Sequence, residues 1–383
     1  MRELNKEFHG ERLSQARAIR NKTIQELADE VGVTHQAISK YEKNKMRPER
    51  EVLDKLVQVL NFETNFFYKE ITTGDIYDKP FIFRKRAGTA KKYQNQFIEQ
   101  VAVISELIET IQSKMYLPEF ELNLILQRTE KTSCFLGENE IVNLAKSVRR
   151  YLSLGDGPID NFTLLCEKLG VIVVYLDSDR FLVDGCSTII NGRPYIILNE
   201  NYTSSVRRRF TLAHELGHIL LHSNLSSNVM NKRENEKQFE YEANFFASEI
   251  LMPEATFVND LNGIGLDYLL TLKRHWKVSL QAMIFRAEQL DIFTQEYALY
   301  LRQQISRKKW RKEEPYDEEI PLEKPVMLSR ALKYLVNNEK TTINELSFQS
   351  GISPEEILYW FNGESVNDMP KNNNSTNHLK RVK

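Results

Sequence analysis

Apolar positions recur along the chain at two periods, and the change of period marks the change of architecture. Over residues 8–68 the spacing is helical. Thr23 and Thr34 each precede a helix as an N-cap, Glu26 completes a capping box with Thr23, and Gly32 makes the turn between the two helices. Ile24, Leu27, Ala28, Val31, Val33, Ile38 and Tyr41 form the inner face of this pair. A stripe of Phe97, Val101, Ile104, Leu107, Ile108 and Ile111 predicts a long helix from Thr89 to Lys114, serving either as core or as a contact between protomers. Ile141, Leu144, Ala145, Val148 and Leu152 predict another, broken at Gly155-Asp156-Gly157-Pro158 before a helix from Asn161 to Leu169. After Gly170 the helical period stops. Residues 171–176, 186–190 and 195–199 read as strands, the last two joined by a tight Asn191-Gly192-Arg193-Pro194 turn. Phe81–Arg86 reads as a further short strand, with a DNA-flanking arm as the alternative, and Tyr195–Asn199 as an edge able to accept a substrate chain. Helices resume over residues 208–222, 237–252, 266–276 and 279–290. Near the end, residues 342–357 repeat the layout of the first helix pair around Gly351; with Pro354, Glu355 and Glu356 opening its second helix, this unit is a packing or partner-binding module.

Composition narrows the setting. The 383 residues, 41% hydrophobic and 27% charged, suit two or three globular domains, and a net charge of −1 restricts any nucleic-acid surface to a local patch. Cys134, Cys166 and Cys186 are odd in number and far apart, against a disulfide framework or a cysteine metal site. Without an apolar leader or a membrane-length apolar run, the expectation is a cytoplasmic protein with no membrane partner.

The sharpest chemistry lies in His214-Glu215-Leu216-Gly217-His218. On a helix, His214 and His218 stand one turn apart on one face and can share a zinc ion, with Glu215 beside them as a general base. A peptidase site needs a third protein ligand and an open fourth position. Glu242 is the first candidate, because Phe239, Phe245 and Phe246 surround it on its helix and a carboxylate there needs a partner. Glu240 is the fallback, lying about 200° further round toward the solvated side. His222, one more turn along, is either a group behind the ligands or a plain helix end.

The run Arg209–His218, with Glu242-Ala243-Asn244-Phe245-Phe246-Ala247 and Leu251-Met252-Pro253, resembles the ImmA/IrrE family of bacterial zinc metallopeptidases. That resemblance implies Zn2+ held by His214, His218 and Glu242, with Glu215 activating water. Leu13-Ser14-Gln15-Ala16-Arg17, Gln25-Glu26-Leu27-Ala28 and Ile38-Ser39-Lys40-Tyr41-Glu42 resemble the Xre/Cro/C1 family of helix-turn-helix domains. His35, Gln36, Ser39, Lys40 and Lys43 then face the major groove of double-stranded operator DNA; Gln36 suits an adenine edge, the lysines suit phosphates, and Gln25 touches the backbone.

These readings give a multi-domain chain: an all-α helix-turn-helix domain over 8–68, a linker and long helix over 69–138, an α+β zincin-like metallopeptidase core over 139–253, an α-helical C-terminal region over 254–366 and a disordered tail over 367–383. The implied function is a repressor, homodimeric on its operator, whose peptidase domain cleaves itself, a sister protomer or another regulator after a stress, prophage or mobile-element signal. The alternatives are a repressor whose zincin domain senses a ligand or partner with little proteolysis, and an antitoxin.

Overall fold

The computed structural model describes residues 7–72, 82–83, 91–120, 135–176, 185–199, 204–230 and 232–361. The expected tail and most of the Phe81–Arg86 segment lie outside them. Among the described residues no helix is long and apolar enough to cross a membrane.

Four helices, α1 (Gly10–Ile19), α2 (Ile24–Val31), α3 (His35–Glu42) and α4 (Arg50–Leu60), close with a 3-10 turn (Thr64–Tyr68) around Leu13, Ala16, Leu27, Ala28, Ile38 and Leu56. The capping signals are realised: Thr23 and Glu26 bond reciprocally, Thr34 accepts from Ala37 N, and Gly32 adopts φ 79°. Gly10 meets the end of α3 so closely that a Cβ would lie 2.1 Å from the Tyr41 carbonyl oxygen.

The strand β1 (Ile82–Phe83) and the helix α5 (Lys91–Gln112) follow. This helix is the predicted long one, and it is core: Phe97, Val101, Ile104, Leu107, Ile108 and Ile111 are all buried. The fully buried Arg12 binds Glu106 on α5 at 2.9 Å and donates to the Lys69 carbonyl, so the helix-turn-helix domain is tied to α5 by a satisfied charge pair.

Then come α6 (Glu138–Tyr151), α7 (Phe162–Lys168), β2 (Ile172–Leu176), β3 (Gly185–Ile190) and β4 (Arg193–Asn199). The sheet order is β1-β3-β4-β2; β3 is antiparallel to both neighbours, and β2 runs parallel to β4. Asn191 and Gly192, with φ 49° and 77°, form the two-residue hairpin turn between β3 and β4. Tyr195–Asn199 is therefore not an edge, as the sequence suggested, but an interior strand with partners on both sides. A strand buried on both faces is a continuous apolar run, and periodicity alone does not reveal its place in the sheet.

Alternate residues of this sheet enter two different cores. Ile172, Val174, Tyr195 and Ile197 join the core of α5 and the helix-turn-helix domain; Val173, Tyr175, Ile196 and Leu198 join that of the helices that follow. Those helices are α8 (Ser205–His222), α9 (Ser227–Met230), α10 (Arg233–Leu251), α11 (Glu254–Asp260), α12 (Leu266–Trp276), α13 (Leu280–Gln289) and α14 (Gln295–Arg307). The buried Lys273 binds Glu314 at 2.8 Å and Asp317 at 2.6 Å, pinning the segment after α14 onto α12.

The chain ends in α15 (Met327–Asn337), α16 (Ile343–Ser350) and α17 (Pro354–Trp360). This module packs back on the helix-turn-helix domain: Phe62 bridges Ile352, Glu63 N donates to the Gly351 carbonyl at 2.9 Å, and Arg20 pairs with Glu356 at 3.3 Å. The start of its would-be recognition helix is thus engaged with its own chain.

Candidate metal centre and DNA-binding face

The helix α8 carries the two histidines on the face it turns to α10, and a close crossing lets them approach. Gly217 sits where a Cβ would come 3.0 Å from the Phe246 ring and 3.2 Å from the Ala243 carbonyl, so a larger residue would push the helices apart. His214 and His218 are buried, with Nε2 atoms 3.0 Å apart. Glu240 on α10 reaches both, 3.5 Å from His214 Nε2 and 3.4 Å from His218 Nε2. These three donors lie within 4.8 Å of one another.

Each imidazole is oriented from behind. His214 Nδ1 meets Asn244 Oδ1 at 3.0 Å, which places the proton on Nδ1 and leaves the Nε2 lone pair toward Glu240. His218 Nδ1 meets His222 Nδ1 at 3.0 Å, and His222 Nε2 meets Glu242 Oε2 at 3.0 Å. With His222 donating to Glu242 and accepting from His218, His218 also keeps a free Nε2 lone pair. Two imidazole nitrogens and a carboxylate, all pointing to one place with their far sides satisfied, make a fitting donor set for zinc; donor spacings near those seen follow from tetrahedral arms of about 2.0–2.1 Å.

Among the described residues Glu240, and not the sequence-based choice Glu242, is the carboxylate within reach of both imidazoles. Glu242 does face the interior and does find a partner there, but the partner is His222, with Leu136 N and Gln238 Nε2 donating to its other oxygen at 3.2 and 3.1 Å. The side chain of Glu240 is 38% exposed, whereas that of Glu242 is fully buried. Sequence reasoning missed Asn244, four residues after Glu240 and hence on the same face of α10.

Glu215 is fully buried on the sheet side of α8, where Ser187 Oγ of β3 donates to its Oε2 at 2.7 Å. Gly185 leaves room there: a Cβ would lie 3.4 Å from Glu215 Oε1 and 2.8 Å from Leu198. A cavity of about 390 Å³ opens beside Asn244 and Thr211 and is also lined by Arg207, Phe210 and Phe285.

On the N-terminal domain, Gln25, His35, Gln36, Lys40 and Lys43 are exposed and Ser39 is half-buried. Gln25 Nε2 donates to Asp29 at 2.7 Å. The helix α3 is clamped at its end by Arg17, whose guanidinium meets Glu42 at 2.5 and 3.0 Å. A rigidly held short helix with a polar outer face suits a groove reader.

Comparison with known proteins agrees with both halves. Residues 13–67 match a helix-turn-helix family model, and residues 166–288 match the IrrE N-terminal-like domain of the peptidase M78 family. The second match runs past the core boundary expected at residue 253 into α13. A curated relative, the SPbeta prophage-derived uncharacterized HTH-type transcriptional regulator YonR of Bacillus subtilis (strain 168), is 38% identical over 60 residues, 16% of this chain and 56% of that protein. The chain thus spans about half the length of the curated relative it matches. The chain therefore carries one segment similar to helix-turn-helix domains and another similar to the IrrE N-terminal-like domain of the peptidase M78 family.

Proposed function

We propose that this chain is a repressor whose M78 domain is a working zinc peptidase, cutting this chain, a sister protomer or another regulator when a stress, prophage or mobile-element signal arrives. The observation that carries this reading is the convergence of His214, His218 and Glu240 beside a buried Glu215. Glu215 has no structural reason to be a carboxylate in a pure sensor. When bound, zinc would supply Lewis acidity to the scissile carbonyl and lower the pKa of water. Glu215 takes the proton of the attacking water on a carboxylate oxygen and delivers it to the departing amine nitrogen. Ser187 holds Glu215 Oε2 in place, while Asn244 and the His222–Glu242 pair keep the ligand imidazoles in the required tautomer.

At the other end, Gln36 reads a base edge, Ser39 contacts base or phosphate, Lys40 and Lys43 neutralise phosphates, and Gln25 and His35 contact the duplex where α2 and α3 meet it. A homodimer on a two-fold operator, in the cytoplasm, completes this reading. One observation favours sensing as a second role: the cavity beside Asn244 places a bound ligand against the residue that orients His214.

The test compares wild type with Glu215→Gln for zinc content by mass spectrometry and for cleavage of the chain and of added regulator. The account expects about one zinc per chain in both and a loss of at least about a hundredfold in cleavage for the variant. Zinc in both with no cleavage by wild type under inducing conditions would leave the sensing reading.

A further inference from the structure

The cavity of about 390 Å³ beside the candidate metal centre is built along one face of α8. Arg207 and Phe210 line it, and both stand at helical spacing before His214, so it continues the histidine face about one to two turns toward the start of the helix. The helix α13 contributes Phe285, and the segment after α14 contributes Arg311. Asn244, whose Oδ1 meets His214 Nδ1, lines the cavity as well. An occupant thus lies against the residue that orients His214.

The ionisable side chains that line this space are differently placed. Glu314 is buried and engaged: its Oε2 accepts from Lys273 Nζ at 2.8 Å and from Leu280 N at 3.0 Å. Arg207 and Arg311 have no carboxylate partner among the described residues. They are held side by side, because Arg207 Nη2 donates to the Arg311 carbonyl. Lys273 also binds Asp317, so three cations stand against two carboxylates here, an excess of one positive charge. Arg207 is half-buried, and a guanidinium partly out of water is stabilised by an anion that accepts charge-assisted hydrogen bonds. Phe210 and Phe285, both half-buried, give the same space apolar ring surface.

We propose that this cavity binds a carboxylate carried on an apolar stem, with Arg207 and Arg311 taking the anion and Phe210 and Phe285 the stem. Its volume lies at the small end of the range for ligand sites. A single negative charge matches the excess of positive charge, whereas a phosphate dianion exceeds it beside two buried carboxylates. Two sources carry the same chemistry: an acidic side chain or chain terminus of a polypeptide held at the metal centre, and a free organic acid. The first rests on the peptidase reading of the site; the second does not.

The test titrates hydrocinnamate and its uncharged amide into the full chain by calorimetry, as wild type, Arg207→Gln and Arg311→Gln. Wild type should bind the acid at least about tenfold more tightly than the amide, and each substitution should remove that preference. Arg311 is exposed, so its replacement leaves the fold intact and keeps the test decisive should Arg207→Gln fail to fold. No binding of the acid, equal binding of acid and amide by wild type, or an undiminished preference in Arg311→Gln overturns the proposal. Tighter binding of inorganic phosphate than of the acid also overturns it. A peptide library made from digested cell extract, incubated with zinc-loaded wild type and read at its new ends by mass spectrometry, separates the two sources. Enrichment of Asp or Glu at one fixed distance from the cut, lost in Arg311→Gln, assigns the site to substrate. Hydrocinnamate binding together with cuts that lack this enrichment assigns it to a free acid. Hydrocinnamate binding with no cutting by wild type leaves the carboxylate site standing and removes the peptidase reading.

Discussion

At the scale of single residues, the candidate centre depends on side chains whose hidden ends are held. His222 stands outside the cluster of His214, His218 and Glu240, yet it links His218 to the buried Glu242. Replacing His222 by Ala strands a buried carboxylate and frees the His218 ring; the expected result is a fall in zinc affinity of about 10–100-fold, read by competition with a chromophoric chelator. Unchanged affinity would reduce His222 to a helix end. The motif around His214 and His218 was legible because its spacing is fixed by the helical repeat alone. Which carboxylate stands with them was not, because Glu240 and Glu242 both sit on one helix and only the packing against α8 decides which of them reaches the two imidazoles. The rule that a buried carboxylate needs a partner is met at Glu242 by His222.

At the scale of elements, sequence pattern and structure agree closely where local signals are strong. The Thr23 capping box, the Gly32 turn and the Asn191-Gly192 hairpin all stand where the residues put them. Sheet order was not legible, since β1 reaches β3 from a distant part of the chain and β4 looks the same in sequence whether interior or edge. A junction equally invisible in sequence is Glu167 at the end of α7, whose carboxylate accepts from Val326 N at 2.8 Å and Met327 N at 2.7 Å and so caps α15. Burial raises its pKa above the usual 4.5, while those two N–H groups pull it down. The folded chain thus holds this proton more tightly than the unfolded chain. The stability it confers is complete below pH about 4.5 and is lost as pH rises through the raised folded value. Glu167→Gln keeps one acceptor for α15 and cannot ionise, so its urea midpoint should gain on wild type as pH increases from 4 to 7. A difference that stays constant with pH would show that Glu167 is not the titrating group.

At the scale of the molecule, the sheet is a wall shared by two cores. One face packs on the helices that carry His214, His218 and Glu240; the other packs on α5, and through it on the DNA-binding domain. The C-terminal module closes the arrangement by packing α16 and α17 on the helix-turn-helix domain, and α17 also packs near β2. Gly351, with φ 79°, lets the module meet Phe66, where a Cβ would come within 2.6 Å. The resemblance of residues 342–357 to a helix-turn-helix unit was visible in the sequence, whereas its docking site was not, because Phe62 and Ile352 are brought together only by the tertiary fold.

The central claim is that His214, His218 and Glu240 hold zinc while Glu242 stands behind them. Equilibrium zinc binding to wild type, Glu240→Ala and Glu242→Gln tests it most directly. The account expects about one ion per wild-type chain, the largest loss of affinity for Glu240→Ala, and a loss of only about 10–100-fold for Glu242→Gln. Full zinc affinity in Glu240→Ala together with loss of the ion from Glu242→Gln would contradict it and return Glu242 to the coordination sphere.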